Sequence, residues 1–109
     1  MFDDLAFLNA EEGHGVTLLK VFALSSCDHC KEAMNLISSL RLGYKYIYVD
    51  TLPPDQRIRI KKEIAAAFHR NLLFPMLELP MNEFLFGYDE GIWRKRLAEF
   101  AAEIGGQQK

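Results

Sequence analysis

The chain has 109 residues, half of them apolar, with a formal net charge of −2 and two cysteines. That length and composition suit one compact domain, 17–104, behind an N-terminal extension, 1–16, and ahead of a polar tail, 105–109. A small net charge of mixed sign gives no footprint for nucleic acid or an anionic membrane. No run approaches the roughly 18 apolar residues of a spanning helix, and two cysteines exclude a scaffold held by several disulfides.

The first residues, Met1-Phe2-Asp3-Asp4-Leu5-Ala6-Phe7-Leu8-Asn9, are acidic and lack the basic start and long apolar stretch of a secretory signal, which points to the cytoplasm. Phe2, Leu5 and Leu8 are spaced for a short amphipathic helix; a partly ordered extension is the other reading. Glu11-Glu12-Gly13-His14-Gly15 reads as a polar, flexible lead-in. A first strand is expected over Leu18–Leu24. Cys30, Ala33, Met34, Ile37 and Leu40 then repeat at helical spacing, with Gly43 as the expected C-cap. Tyr44–Val49, aromatic and β-branched, reads as the second strand, and its three tyrosines at alternate positions share one sheet face, where helix packing is expected. Asp50-Thr51-Leu52-Pro53-Pro54 ends it and starts a helix. In that helix Ile60, Ile64, Ala67 and Phe68 form the apolar face, and Arg57, Arg59, Lys61, Lys62 and Glu63 mostly face solvent. Pro75–Leu79, the turn Pro80-Met81-Asn82, and Glu83–Phe86 read as a hairpin ended by Gly87. Asp89 is a suitable N-cap for a last helix that buries Trp93, Leu97, Phe100, Ala101 and Ile104 and stops at Gly105-Gly106. The resulting order, β-α-β-α-β-β-α, implies a small central sheet with helices on its faces.

Chemistry concentrates at the first strand-to-helix junction, Cys27-Asp28-His29-Cys30. Two thiols separated by two residues on the first turn of a helix can close a small disulfide ring. Free N–H groups and the positive end of the helix dipole lie beside the first sulfur and favour its thiolate, the form that attacks disulfides. Cys27, nearer solvent, would attack, and Cys30, one turn deeper, would resolve the mixed disulfide. Asp28 and His29 would tune the poise in opposite directions. Zinc needs four ligands, and His14, His29 and His69 show no paired spacing, so no metal is expected within one chain. The alternative reading is a dimer whose pooled Cys27 and Cys30 thiols hold zinc or an iron–sulfur cluster. Phe74-Pro75 is the second feature: a proline opening an apolar strand cannot donate to the ladder, and a cis bond there would turn the chain sharply towards the cysteines.

Together the strand, the CxxC at a helix start, the strand-opening Phe74-Pro75, the hairpin and Phe86-Gly87-Tyr88-Asp89 resemble the glutaredoxin branch of the thioredoxin superfamily, over about residues 17–104. The resemblance implies a thioredoxin-like α/β fold with a four-stranded mixed sheet flanked by helices. It also implies a monomeric thiol–disulfide oxidoreductase, with Cys27 as nucleophile and Cys30 as resolving thiol. The Phe74-Pro75 bond would be cis. Phe74, Pro75, Gly87, Tyr88 and Asp89 would form the substrate or glutathione site, the Phe74 backbone pairing with the cysteinyl part and Asp89 meeting the γ-glutamyl end. The implied substrates are protein or glutathione disulfides, with glutathione as a reductant. The departures from the family pattern fall on that site. Asp28-His29 replaces a Pro-Tyr type pair, Leu24 replaces a lysine that pairs with a glutathione carboxylate, Leu73-Phe74 replaces Thr-Val, and Phe86-Gly87 replaces Gly-Gly. Losing one charge-assisted contact is worth about 1.5–3 kcal/mol, a tenfold loss of affinity or more. Lys31 and Arg70 are the candidates to replace that charge.

Overall fold

The structure, a computed structural model, describes residues 1–10 and 18–107; His14 and the Glu11–Gly15 lead-in lie outside them. A five-stranded sheet carries the domain. Its strands are β1 (Leu8–Asn9), β2 (Leu19–Ala23), β3 (Tyr44–Tyr48), β4 (Met76–Leu79) and β5 (Glu83–Phe86), in the order β1-β3-β2-β4-β5. β2 and β3 run parallel, with Ala23 opposite Tyr48, and the other pairs are antiparallel. Helices α1 (Asp28–Ser39) and α3 (Glu90–Gln107) cover one face, and α2 (Pro54–Phe68) covers the other.

Strand alternation sorts side chains between these two layers. Leu19, Val21 and Ala23 of β2 join Leu77 and Leu79 of β4 against Cys30, Ala33 and Ile37 of α1 and Trp93, Leu97 and Phe100 of α3. The three tyrosines of β3 lie on this face as well, Tyr44 buried and Tyr46 and Tyr48 partly so. On the opposite face Phe22, Ile47 and Met76 meet Ile60 and Ile64 of α2. Glu78 is buried there too, with the Met1 amino group 3.3 Å from its carboxylate.

The structure corrects several expectations. The first residues form no helix. Phe2 and Leu5 are buried against Phe22, while Leu8, an exposed residue, pairs with Tyr46 as a fifth strand on the β3 edge. The extension is tied down further by a bidentate Arg59–Asp4 pair and by Lys20–Asp3. Gly43 is not the cap of α1. Arg41 takes the left-handed conformation (φ 58°), its N–H reaching Ser38 O and that of Leu42 reaching Ile37 O. This is a Schellman ending in which buried Leu42 packs over buried Ile37. Ala67 is exposed, leaving Ile60 and Ile64 as the fully buried residues of α2. α3 continues through Gly105-Gly106 to Gln107.

Candidate active site

β2 ends at Ala23, a short loop of Leu24, Ser25 and Ser26 follows, and Cys27 is the N-cap of α1. Its extended backbone (φ −127°, ψ 111°) turns the sulfur back over the first turn, where it accepts the Cys30 N–H at 3.2 Å. That bond satisfies one of the donors that every helix start leaves unpaired, and it holds positive dipole density against the Cys27 sulfur. Cys27 is half-buried, Cys30 is 1% exposed, and both thiols are free. Burial pushes the Cys30 thiol up to about 12, and the neighbouring Cys27 sulfur and the Asp50 charge act in the same direction; the Leu24 backbone N–H acts against them. The two cysteines therefore differ in access.

Asp28 and His29 are exposed on the first turn of α1, and His29 Nδ1 stands 3.8 Å from Glu32. Beside them lies a groove of about 330 Å³ lined by His29, Leu73, Phe74, Phe86, Gly87, Tyr88 and Asp89. The Phe74-Pro75 bond is cis. Gly87 (φ 75°) donates its N–H to Pro75 O at 2.8 Å and Leu73 O at 3.2 Å, and accepts the Trp93 indole N–H at 2.8 Å. Buried Trp93 in turn carries Tyr88 edge-on, with ring centroids 5.3 Å apart. Burial, then the charges of Glu90 and Glu32, raise the Tyr88 phenol. Asp89 caps α3 by accepting the Ile92 N–H at 3.0 Å.

The structure thus brings His29, Phe74, Gly87, Tyr88 and Asp89 together around one groove, with Pro75 buried behind it. The two candidate cations separate. Arg70 stacks on Phe86 at 4.0 Å, at the edge of this groove, whereas Lys31 lines a different cleft, between α1 and Tyr44, Tyr46 and Tyr48. Sequence reasoning missed Ser25 and Asp50, which meet across the loop before Cys27. Their separation along the chain leaves no local signal.

No protein-family model matches the chain, and no curated protein sequence matches it. Solved structures do. A glutaredoxin from Archaeoglobus fulgidus superposes with a TM-score of 0.60 at 19% identity, covering 78% of this chain and 86% of that one. Methanoredoxin from Methanosarcina acetivorans gives 0.63 at 22%, covering 80% and 90%. The glutaredoxin from Methanosarcina mazei Go1 gives 0.61 at 22%, covering 85% and 84%. The chain has the glutaredoxin fold. Within that thioredoxin-like architecture the expected β-α-β-α-β-β-α order is present, with β1 added at its edge. Among the described residues no helix is long and apolar enough to cross a membrane, and no group of three or more His, Cys, Asp or Glu could hold a metal.

Proposed function

We propose that this protein is a dithiol–disulfide oxidoreductase acting as a monomer. The observation that carries the reading is the division between the two sulfurs: Cys27 is accessible and holds a helix N–H, and Cys30 is buried one turn beneath it. The fold shared with glutaredoxins and a methanoredoxin supports it. The Cys27 thiolate attacks one sulfur of a substrate disulfide, forming a mixed disulfide and releasing the first substrate thiolate. Cys30 then gives its proton to solvent and attacks the Cys27 sulfur, releasing the second. Two electrons pass to the substrate and leave a Cys27–Cys30 disulfide. An external thiol must reduce that bond again, which fits a reducing compartment such as the cytoplasm. Asp28 and His29 tune the poise from the exposed turn between the sulfurs.

For substrate, the groove favours a polypeptide disulfide over glutathione. Leu73 and Phe86 present apolar surface, Leu24 carries no charge, and Arg70, at the groove's edge, is engaged with Phe86. Phe74, Tyr88 and Asp89 would then hold an extended segment of the partner.

Incubating Cys30→Ser with oxidised glutathione and reading the intact mass tests both levels. No adduct, from a protein whose wild type closes the Cys27–Cys30 disulfide, is the expected result and indicates a redoxin dedicated to a protein partner. A single adduct at Cys27, released quickly by reduced glutathione, moves the assignment to a glutathione-dependent enzyme. A wild type that forms no internal disulfide under oxidation removes the oxidoreductase reading altogether.

A further inference from the structure

Three consecutive residues of the groove, Gly87, Tyr88 and Asp89, are held by one residue of α3. Trp93 is the only tryptophan of the chain and is 1% exposed. Its indole N–H donates to Gly87 O at 2.8 Å, its ring meets the Tyr88 ring edge-on with centroids 5.3 Å apart, and its backbone N–H donates to Asp89 O at 2.9 Å. The indole is fixed in turn, because Trp93 belongs to the buried layer of Leu77, Leu97 and Phe100. Gly87 needs such a hold. Its N–H, on Pro75 O and Leu73 O, anchors the peptide before it. The peptide after it carries the Gly87 carbonyl and the Tyr88 N–H in one plane, and a glycine has no Cβ to restrict the torsion that sets that plane. The hydrogen bond from the Trp93 indole fixes it.

We propose that Trp93 is a positioning residue that sets the specificity of the groove: its indole N–H fixes the Gly87–Tyr88 peptide and so holds the Tyr88 wall in the shape that receives an extended polypeptide. This rests on the reading above, in which the groove takes a polypeptide disulfide. Trp93 is not among the residues that line the groove, so it acts only through those it holds. The pairing matters to both partners, because a buried N–H or carbonyl left unpaired loses its solvation without return. The consequence is selective. A small disulfide needs only access to the Cys27 sulfur. An extended segment must meet Leu73, Phe74 and Tyr88 together, and it binds more tightly when those walls need no ordering as it arrives.

Because Trp93 is the only tryptophan, its N–H can be removed with the ring shape kept. A tryptophan auxotroph incorporates benzothienylalanine, in which sulfur replaces the indole N–H, or 5-fluorotryptophan, which retains it. The probe is a short extended peptide with apolar residues beside a cysteine, activated as its mixed disulfide with thionitrobenzoate. The control is the same activated cysteine alone, with capped ends. The Cys27 thiolate attacks the cysteine sulfur, forms the Cys27–peptide disulfide and releases thionitrobenzoate, which is read optically; Cys30 then displaces the peptide thiol. In the unsubstituted protein the peptide is expected to react faster than the capped cysteine. The benzothienyl form loses that advantage, the peptide rate falling by about fivefold to tenfold, the size of one hydrogen bond. Its rate with the capped cysteine stays within about twofold and its Cys27–Cys30 reduction potential is unchanged, which separates a loosened groove from damage at the sulfurs. Trp93→Phe, which keeps an aromatic ring and lacks the donor, shows the same selective loss, and the 5-fluorotryptophan form behaves as the unsubstituted protein. The proposal is overturned if the benzothienyl form keeps the advantage of the peptide, if it slows both probes equally, or if the 5-fluorotryptophan form is as slow. An unsubstituted protein that reacts no faster with the peptide than with the capped cysteine removes the polypeptide reading, and the role of Trp93 in specificity falls with it.

Discussion

The β4–β5 hairpin uses the left-handed backbone conformation at both of its ends, and only one end uses glycine. Where β5 leaves the sheet beside the groove, Gly87 has φ 75°; at the turn joining the strands, Met81 and Asn82 have φ 66° and 58°. The surroundings differ more than the angles do. A Cβ built on Gly87 would lie 2.9 Å from Leu73 Cδ2, and both polar atoms of its backbone are taken by Leu73, Pro75 and Trp93. Met81 is 98% exposed and meets only solvent. Glycine stands at 87 because the groove is assembled there from three converging segments, so the constraint is crowding added to conformation. At 81 the conformation alone acts, and a methionine is tolerated.

The largest break in this comparison is Gly87→Ala. A left-handed L-residue costs about 1–2 kcal/mol, partly offset by the lower unfolded-state entropy of alanine, and Leu73 must also shift. The half-exposed Leu73 side chain has room to move into the groove, which limits the strain but narrows the site. The expected loss is about 1–2 kcal/mol in denaturant unfolding. Slower attack on protein disulfides should accompany it, with small aromatic disulfides unaffected. Unchanged stability would show that Leu73 does not confine position 87.

How far the sequence announces these features follows the range of the interactions behind them. β2, β3 and the hairpin are legible because alternation and β-branched runs are local, and Asp89 is legible because a cap needs only the residues that follow it. The CxxC at a strand-to-helix junction is equally local. Phe2 and Leu5 are not legible as sheet-facing core: their spacing with Leu8 points to a short helix, and their burial comes from Phe22, far along the chain. β1 exists because the β3 edge accepts it, so Leu8-Asn9 alone does not specify a strand. Arg41 displaces Gly43 as the left-handed residue because burying Leu42 over Ile37 outweighs glycine's conformational freedom. The Ser25–Asp50 contact joins residues whose own neighbourhoods predict only a loop and a turn.

The turn end of the hairpin is held at the surface instead. Arg96 of α3 forks onto Glu83, the first residue of β5, at 2.6 and 2.9 Å, and this hydrogen-bonded pair lowers the Glu83 carboxyl from its ordinary 4.5. A carboxyl lowered by folding adds stability that is present above its unfolded value and lost as pH falls through the folded one. Glu83→Gln should therefore cost stability at neutral pH, and the difference from wild type should shrink as pH falls below 4.5 and vanish once it is below the lowered folded value. The Glu83 side chain is 40% exposed, so solvent screening keeps the effect under about 1 kcal/mol. Parallel unfolding curves at neutral and acid pH measure it, and a difference that persists in acid would show that the glutamine disturbs packing and that the ion pair contributes nothing.

The smallest effect sharpens the comparison most. Met81→Gly makes at the turn the change opposite to Gly87→Ala at the groove, at nearly the same φ. Relieving the left-handed strain of methionine recovers about 1–2 kcal/mol, and the greater entropy glycine loses on folding returns roughly half of that. A net gain of a few tenths to about 1 kcal/mol is expected in the unfolding midpoint at unchanged denaturant slope. No packing is lost, because the Met81 side chain makes none. If glycine is favoured at 81 by less than it is favoured at 87, the excess at 87 measures the crowding imposed by Leu73, free of the backbone term common to both sites. Equal preferences would mean that the groove adds nothing to the angle, and Gly87 would then be a residue of the turn and not of the site.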